Sequence, residues 1–142
     1  MGYGGYLIKV GNYTVPFDCI LASTFQSPLL GQDKDSYNDD NGVLHRTALK
    51  NQVIKVEWQT PEMDEKKFDA FMKNINSQYV EQRREKKCLV TVWCPEIMRY
   101  VTMHCYVPDL TPIVAYADEK KIEYDGWRIA FIGYGGAIYD KW

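Results

Sequence analysis

A group of aspartates lies close together in one stretch of the chain, and carboxylates at short spacing are common ligands of Ca²⁺. The group consists of Asp33, Asp35, Asp39 and Asp40. An EF-hand loop needs Gly at its sixth position and Glu at its twelfth, but placing Gly42 sixth puts Ala48 twelfth. The spacing therefore favours a solvated acidic loop, and we predict no metal site.

The histidines and cysteines are the other side chains that could bind metal or act as nucleophiles. The cysteines form no C-x-x-C pair, and neither His45 nor His104 is grouped with them, so the zinc patterns are absent. A thiol enzyme or a cell-wall hydrolase would need one of these histidines beside a cysteine or a carboxylate. The sequence shows no such constellation, and we predict no catalytic residue and no cofactor. The cysteines are Cys19, Cys88, Cys94 and Cys105.

The composition indicates one folded domain over residues 1–142. The hydrophobic content of 46% is too high for a disordered chain. The net charge of −2 argues against a nucleic-acid binder whose affinity comes from phosphate neutralisation, so we predict no specific nucleic-acid binding. No apolar run reaches about 18 residues, so we expect no membrane span. The N-terminus lacks the basic start and apolar run of a signal peptide. We therefore expect a soluble protein made in the cytoplasm, with free thiols.

One segment has apolar residues at helical spacing. Phe68, Phe71, Met72, Ile75 and Tyr79 follow the 3.6-residue period and form a single stripe. A threonine and a proline at positions 60 and 61 suit the start of a helix, and basic residues at 83–87 suit its end. The pattern predicts one helix over residues 62–83 that packs against a β-structure.

The rest of the chain alternates short apolar runs with turn signals, which is typical of antiparallel strands. Gly11 and Asn12 favour a tight hairpin between the first two runs. Residues 27–41 lose this periodicity and predict a long loop. The fold class is therefore α+β, mainly an antiparallel β-sandwich or split barrel of about eight strands with one central helix. The candidate segments for these strands are 6–10, 13–17, 19–26, 43–49, 51–59, 88–94, 99–107, 113–117, 122–124 and 127–134.

Three segments together resemble a family of small tail-module proteins from prophages and long-tailed phages of Gram-positive bacteria. They are residues 6–13 (YLIKVGNY), 33–46 (DKDSYNDDNGVLHR) and 128–134 (RIAFIGY). The order of elements also resembles the phage tail-tube fold, which tube proteins share with the N-terminal domain of distal tail proteins.

This resemblance implies a virion structural protein, in which subunits form a hexameric ring in the tail tube or near the distal tail and baseplate. It implies homo-oligomerisation, contact with other tail proteins and a location in the virion. In such rings a long loop between early strands reaches a neighbour. We accordingly predict that residues of the 27–46 region are subunit contacts: Asp33, Asp35, Tyr37, Asp39, His45 and Arg46. Their possible charge partners on the next subunit are Arg83, Arg84, Lys86 and Lys87.

An alternative is a module of the tail tip that binds the host surface, a carbohydrate or a protein. Its aromatic platform would consist of Tyr3, Tyr6, Trp93, Tyr100, Trp127 and Trp142. In either case we expect one common hydrophobic core. Its predicted members are Trp58, Phe68, Phe71, Met72, Ile75, Val90, Val92, Ile129 and Phe131.

Overall fold

A computed structural model describes residues 2–30, 33–48, 53–80, 85–134 and 138–139, with the backbone alone for 33–36, 46–48 and 138–139. These residues contain one α-helix, α1 (Glu65–Ser77), and strands that pair antiparallel throughout. The predicted α+β class is confirmed. The strands are β1 (Ile8–Val10), β2 (Tyr13–Thr14), β3 (Leu29–Leu30), β4 (Asp33–Asn38), β5 (Leu44–Ala48), β6 (Val53–Gln59), β7 (Met63–Asp64), β8 (Lys87–Cys94), β9 (Arg99–Tyr106), β10 (Val114–Ala117), β11 (Ile122–Tyr124), β12 (Arg128–Gly133) and β13 (Ile138–Tyr139).

The largest sheet has the order β2-β1-β8-β9-β12-β6-β3, and β13 also pairs with β9. Alternate residues of its strands are buried, as the period of two requires when one face of a sheet covers a core. Cys88 lies opposite Cys105, and Ile129 lies opposite Trp58, all on this inner face. The side chains between them form the outer face, which several exposed apolar residues occupy.

The helix and a smaller sheet, β10-β11-β7, complete the core. Phe71 and Ile75 of α1 are buried, and the Phe68 ring stacks on that of Tyr124 in β11 with 3.7 Å between ring centres. The Trp127 ring lies 6.5 Å from that of Phe71. The apolar stripe of the helix therefore packs as predicted. In the predicted core, Phe68 and Met72 are half-buried and the other members are buried. The sheets do not close on one another in the described residues.

The predicted helix boundaries, 62 and 83, are wrong. Asp64 is the N-cap, because its carboxylate accepts a 2.8 Å hydrogen bond from the backbone N–H of Lys67. Thr60 cannot cap the helix, since its hydroxyl accepts a hydrogen bond from the backbone N–H of Trp127 and its own N–H bonds to the Trp127 carbonyl. The helix ends at Ser77, and Val80 already pairs with Lys87.

Two segments before β4 also differ from the sequence prediction. Residues 17–19 and 22–24 form 3₁₀ turns in place of a strand over 19–26, because Leu21 donates to the Gln59 carbonyl and the chain then folds back on itself. The predicted long loop at 27–41 contains β3 and all of β4.

The Gly11–Asn12 hairpin turn is confirmed, with Gly11 in the left-handed region at φ 58°.

Candidate functional site

The segment that was expected to contact other subunits is a β-hairpin. Strands β4 and β5 pair with each other, with Asp33 opposite Ala48 and Asn38 opposite Leu44, and neither pairs with a described strand of the other two sheets. We call residues 33–48 the arm. A two-stranded hairpin is marginally stable by itself in water, so a partner surface would stabilise the arm.

Hydrogen bonds to Asp39 organise the turn at the end of the arm. Its carboxylate accepts from the backbone N–H groups of Asn41 and Val43, at 2.9 and 3.0 Å. Its backbone carbonyl accepts from the N–H of Gly42, which adopts a positive φ of 79°. The bonding of an Asp side chain to the backbone just ahead of it is a common way to build a turn. This explains how a segment without apolar alternation still forms a defined hairpin.

Asp39 also joins His45 and Tyr37 into one cluster. The Nε2 atom of His45 lies 2.9 Å from Oδ2 of Asp39, and the His45 ring stacks on Tyr37 with 4.8 Å between ring centres. The hydrogen bond with His45, followed by the bonds from Val43 and Asn41, lowers the pKa of Asp39 below its usual value. Three of the predicted contact residues are thus in mutual contact.

The His45–Asp39 pair has the contact between a histidine and a carboxylate that an enzyme hypothesis would need, and it lies on the arm. The His45 side chain is exposed and that of Asp39 is partly exposed, and the four thiols are buried elsewhere. Burial raises the pKa of Cys19 and Cys94 to about 11 and that of Cys88 to about 12, and it also raises the pKa of Cys105. These thiols are therefore uncharged and poorly nucleophilic at neutral pH.

The end of the arm exposes apolar surface. Tyr37 is 60% exposed, and Val43 and Leu44 are each 55% exposed. They lie beside the acidic residues Asp39 and Asp40, so this tip combines apolar and negatively charged groups. Tyr37 and Leu44 lie on opposite faces of the hairpin, because Tyr37 is opposite His45 and Leu44 is opposite Asn38. Each face therefore exposes apolar surface of the kind that protein contacts cover.

The other predicted contact residues are only partly described. Asp33 and Asp35 lie on β4 and Arg46 lies on β5, with no description of their side chains. Arg83 and Arg84 fall outside the described residues. Lys86 has a positive φ of 48°, and the Nζ of Lys87 lies 5.2 Å from the centre of the Tyr134 ring.

A cross-strand row on the outer face of the large sheet was not anticipated from the sequence. Lys87 lies opposite Tyr106, Tyr106 opposite Ile132, and Ile132 opposite Lys55. Tyr134 lies beside them, with its ring centre 5.5 Å from that of Tyr106. We call these five residues the lysine–tyrosine row. Alternation within each strand could have indicated their outward direction, but their juxtaposition depends on a strand order that joins distant parts of the chain.

Four of the predicted platform aromatics form a cluster near the N-terminus. The Tyr6 ring stacks on that of Tyr100 at 4.6 Å, and the Trp93 ring lies 5.1 Å from Tyr100 and 5.6 Å from Tyr3. The Tyr100 hydroxyl accepts from the N–H of Gly4 and donates to the Tyr6 carbonyl, both at 2.8 Å. Trp127 is instead buried beside the helix, and Trp142 falls outside the described residues.

The smaller sheet exposes a second apolar surface. All four residues of β10 are exposed, including Val114 and Tyr116, and Ile113 immediately before them is also exposed. In the described part of the chain β10 pairs with β11 alone, so its other edge is open. The ladder shifts its register between Val114 and Tyr116.

The described residues contain neither a metal-binding group nor a membrane-spanning helix. No group of three or more His, Cys, Asp or Glu side chains there is placed to hold a metal ion. No described helix is both long enough and apolar enough to cross a membrane.

Over the part of the chain that the structure describes, the geometry defines an α+β protein with one α-helix, antiparallel strands and a hairpin arm that pairs with no other described strand. Residues 1–134 match a family of unknown function, DUF6711, and the chain belongs to this family. No curated protein and no solved structure matches the chain.

Proposed function

We propose that this protein is a structural component of a phage or prophage virion, which forms rings in the tail tube or near the distal tail and has no catalytic activity. The observation that supports this proposal most directly is the arm. It has no described sheet partner in its own chain, yet hydrogen bonds of Asp39 fix its turn and it presents Tyr37, Val43 and Leu44 to solvent.

Such an arm gains stability by docking on another surface. An isolated hairpin buries little surface, and its exposed apolar side chains remain in contact with water until another surface covers them. If the surface that receives the arm belongs to a second copy, the contact is heterologous, because the arm and its receptor are different surfaces. Repetition of a heterologous contact closes a ring when the rotation allows it. A hexamer is the ring that we propose.

The same proposal includes a finer description of the fold, a sandwich or split barrel of the tail-tube type. The large sheet has one buried face and two terminal strands, β2 and β3, at its edges. Subunits side by side would cover such edges and continue the sheet around a ring. We propose that the protein is made in the bacterial cytoplasm and resides in the virion tail beside other tail proteins.

The test is the mass of the purified protein, measured by light scattering over a concentration series, with negative-stain microscopy of the same samples. We expect a defined oligomer, with a hexameric ring as the specific expectation. Deletion of residues 34–41 should reduce the mass to that of a monomer. A full-length protein that remains monomeric at every concentration would contradict the proposal, and an arm deletion that still forms rings would remove the arm from the assembly contact.

The second candidate is a host-surface or carbohydrate-binding module of the tail tip. It is supported by the ring contacts among Tyr3, Tyr6, Trp93 and Tyr100, of which Tyr3 is exposed, Tyr6 and Trp93 are half-buried and Tyr100 is buried. Aromatic rings that remain accessible in such a cluster can bind sugars and proteins. Binding of the protein to purified host cell-wall polysaccharide, lost on Trp93→Ala and kept on Val114→Ala, would favour this function. No binding to cells or to cell walls would count against it.

A further inference from the structure

We propose that the lysine–tyrosine row is the surface on which the arm of a second copy of this chain docks. This inference rests on the proposed function, because it requires that copies of the chain assemble. It goes further by naming the receptor surface and the chemistry of the contact. The row differs from the basic segment at 83–87 expected from the sequence, with which it shares only Lys87.

The row is a continuous strip across four strands of the large sheet. Tyr106 on β9 lies between Lys87 on β8 and Ile132 on β12, and Lys55 on β6 lies on the other side of Ile132. The inner-face neighbours Cys88, Cys105, Phe131 and Ile54 are fully buried, so the row must point to the opposite, outer side. Adjacent strands lie about 4.8 Å apart, and the strip is therefore about 14 Å across.

Charge favours the arm as the occupant of this strip. The arm contains four aspartates against Lys34 and Arg46, which leaves it two net negative charges with His45 neutral. The row contains two lysines and no acidic residue. Opposite charges on two surfaces speed their encounter and fix their relative register.

The open edge at β10 is a less suitable receptor for the same reason. Its hairpin, residues 114–124, has Asp118, Glu119 and Glu123 against Lys120 and Lys121. An acidic arm that approached this hairpin would meet net negative charge. Like charges across an interface disfavour a contact, so charge selects the row over β10.

The apolar groups of the two surfaces also match. Tyr37 lies opposite His45 and Leu44 lies opposite Asn38, so Tyr37 and Leu44 are on opposite faces of the hairpin, and the face with Tyr37 is the one that docks in this proposal. The row offers Tyr106 and Tyr134 as exposed aromatic rings, with half-buried Ile132 between its polar ends. Strand β4 has six residues, and at about 3.4 Å per residue it extends about 20 Å, enough to cross the strip. Contact would therefore cover apolar groups at the centre and pair charges at the margins, as in a typical protein interface.

The experiment reverses the charge of each surface separately and then mixes the two variants. The row variant is Lys55→Asp with Lys87→Asp. The arm variant is Asp35→Lys with Asp40→Lys, which leaves the turn residue Asp39 intact. Each variant alone opposes like charges, and we expect each to raise the concentration needed for assembly by about tenfold or more. In a one-to-one mixture every arm meets a row of opposite charge, so alternating rings should form again.

A matched control carries Lys66→Asp with Lys120→Asp. These two lysines are exposed and lie outside the row, and their replacement changes the net charge by the same amount. We expect this control to assemble like the unmodified protein. Circular dichroism of every variant should show that each is folded, so that loss of assembly is not loss of structure.

Failure of rescue in folded variants, or normal assembly by each variant alone, would overturn the inference while the ring proposal stands. If the unmodified protein never assembles, both proposals fail. A second measurement avoids substitution of the charges altogether. A photo-crosslinking amino acid at position 37, in a mixture of ¹⁴N and ¹⁵N protein, should join the arm of one copy to residues 85–94 or 99–106 of another. Crosslinks confined to residues 113–117 would overturn the row as the receptor.

Discussion

The side chains of Asp39 and His45 are in contact across the turn of the arm, with 2.9 Å between Oδ2 of the carboxylate and Nε2 of the imidazole. The same carboxylate holds the backbone N–H groups of Asn41 and Val43 through its other oxygen. One side chain thus fixes both the turn and the connection between the two strands. The tip that presents Tyr37, Val43 and Leu44 depends on this residue.

The first prediction concerns the pH dependence of the arm. The pKa of Asp39 is lowered, so its contribution to the folded arm is present above the ordinary carboxyl pKa of about 3.9 and is lost as the pH falls through the lowered value. Replacement of His45 by Ala removes the largest cause and should raise the pKa of Asp39. Carboxyl ¹³C NMR titration measures this directly. His104→Ala, a replacement on the distant strand β9, is the control, and an unchanged Asp39 titration in His45→Ala would refute the assignment.

The second prediction concerns the start of the helix. Asp64→Ala removes the acceptor for the Lys67 N–H and should lower the free energy of unfolding by about 1 kcal/mol. Urea denaturation measures the difference. Glu62→Ala, two residues earlier and outside the helix, should leave stability nearly unchanged. Equal losses from both replacements would mean that charge near the helix end, and not the cap, is responsible.

The third prediction concerns the close approach of the chain at Gly126 to the residue that was expected to cap the helix. A Cβ atom at position 126 would lie 2.5 Å from the backbone carbonyl oxygen of Thr60. The backbone of Thr60 is fixed in place, because its N–H donates a hydrogen bond to the Trp127 carbonyl. Backbone atoms cannot yield easily, and Gly126→Ala should lower the free energy of unfolding by about 1–3 kcal/mol. Gly2→Ala is the matched control, because a Cβ there would have no neighbour within 4 Å. Equal stability of the two variants would contradict the packing described for residues 60 and 126.

The fourth prediction concerns the four cysteines. They are buried and their pKa values are raised, so at neutral pH both access and thiolate content are low. The folded protein should react slowly with a disulfide reagent, and four equivalents should react once guanidinium chloride unfolds it. Ser23→Cys places a thiol at an exposed position and should react quickly in the folded state. Rapid reaction of the unmodified folded protein would show that the sheet opens readily.

The helix shows what local sequence pattern can and cannot predict. The stripe of Phe68, Phe71 and Ile75 is visible in the sequence because burial of one helical face imposes its own period. The boundaries depend on which of two nearby side chains caps the helix, and that choice is made by contact with a residue far along the chain. Thr60 bonds to Trp127, so the cap passes to Asp64.

The arm and the lysine–tyrosine row were not predicted as such, for two different reasons. The sequence of the arm lacks the apolar alternation by which a strand is recognised. Its turn is organised instead by hydrogen bonds to the Asp39 side chain, which need no apolar face. The row joins Lys55, Lys87, Tyr106 and Ile132, which lie on four strands, of which only β8 and β9 are consecutive in sequence. Only the order of strands brings them together, and alternation within a strand does not contain that information.

The open edge at β10 has a consequence for how the protein is handled and stored. Residues 113–117 are apolar, uncharged and exposed, which is the composition of segments that stack into amyloid-like fibrils. The register shift between Val114 and Tyr116 bends this edge, and the charged turn at 118–121 follows directly, so both features oppose stacking. Straightening of that bend would convert a tolerated edge into a nucleus for precipitation in concentrated solutions.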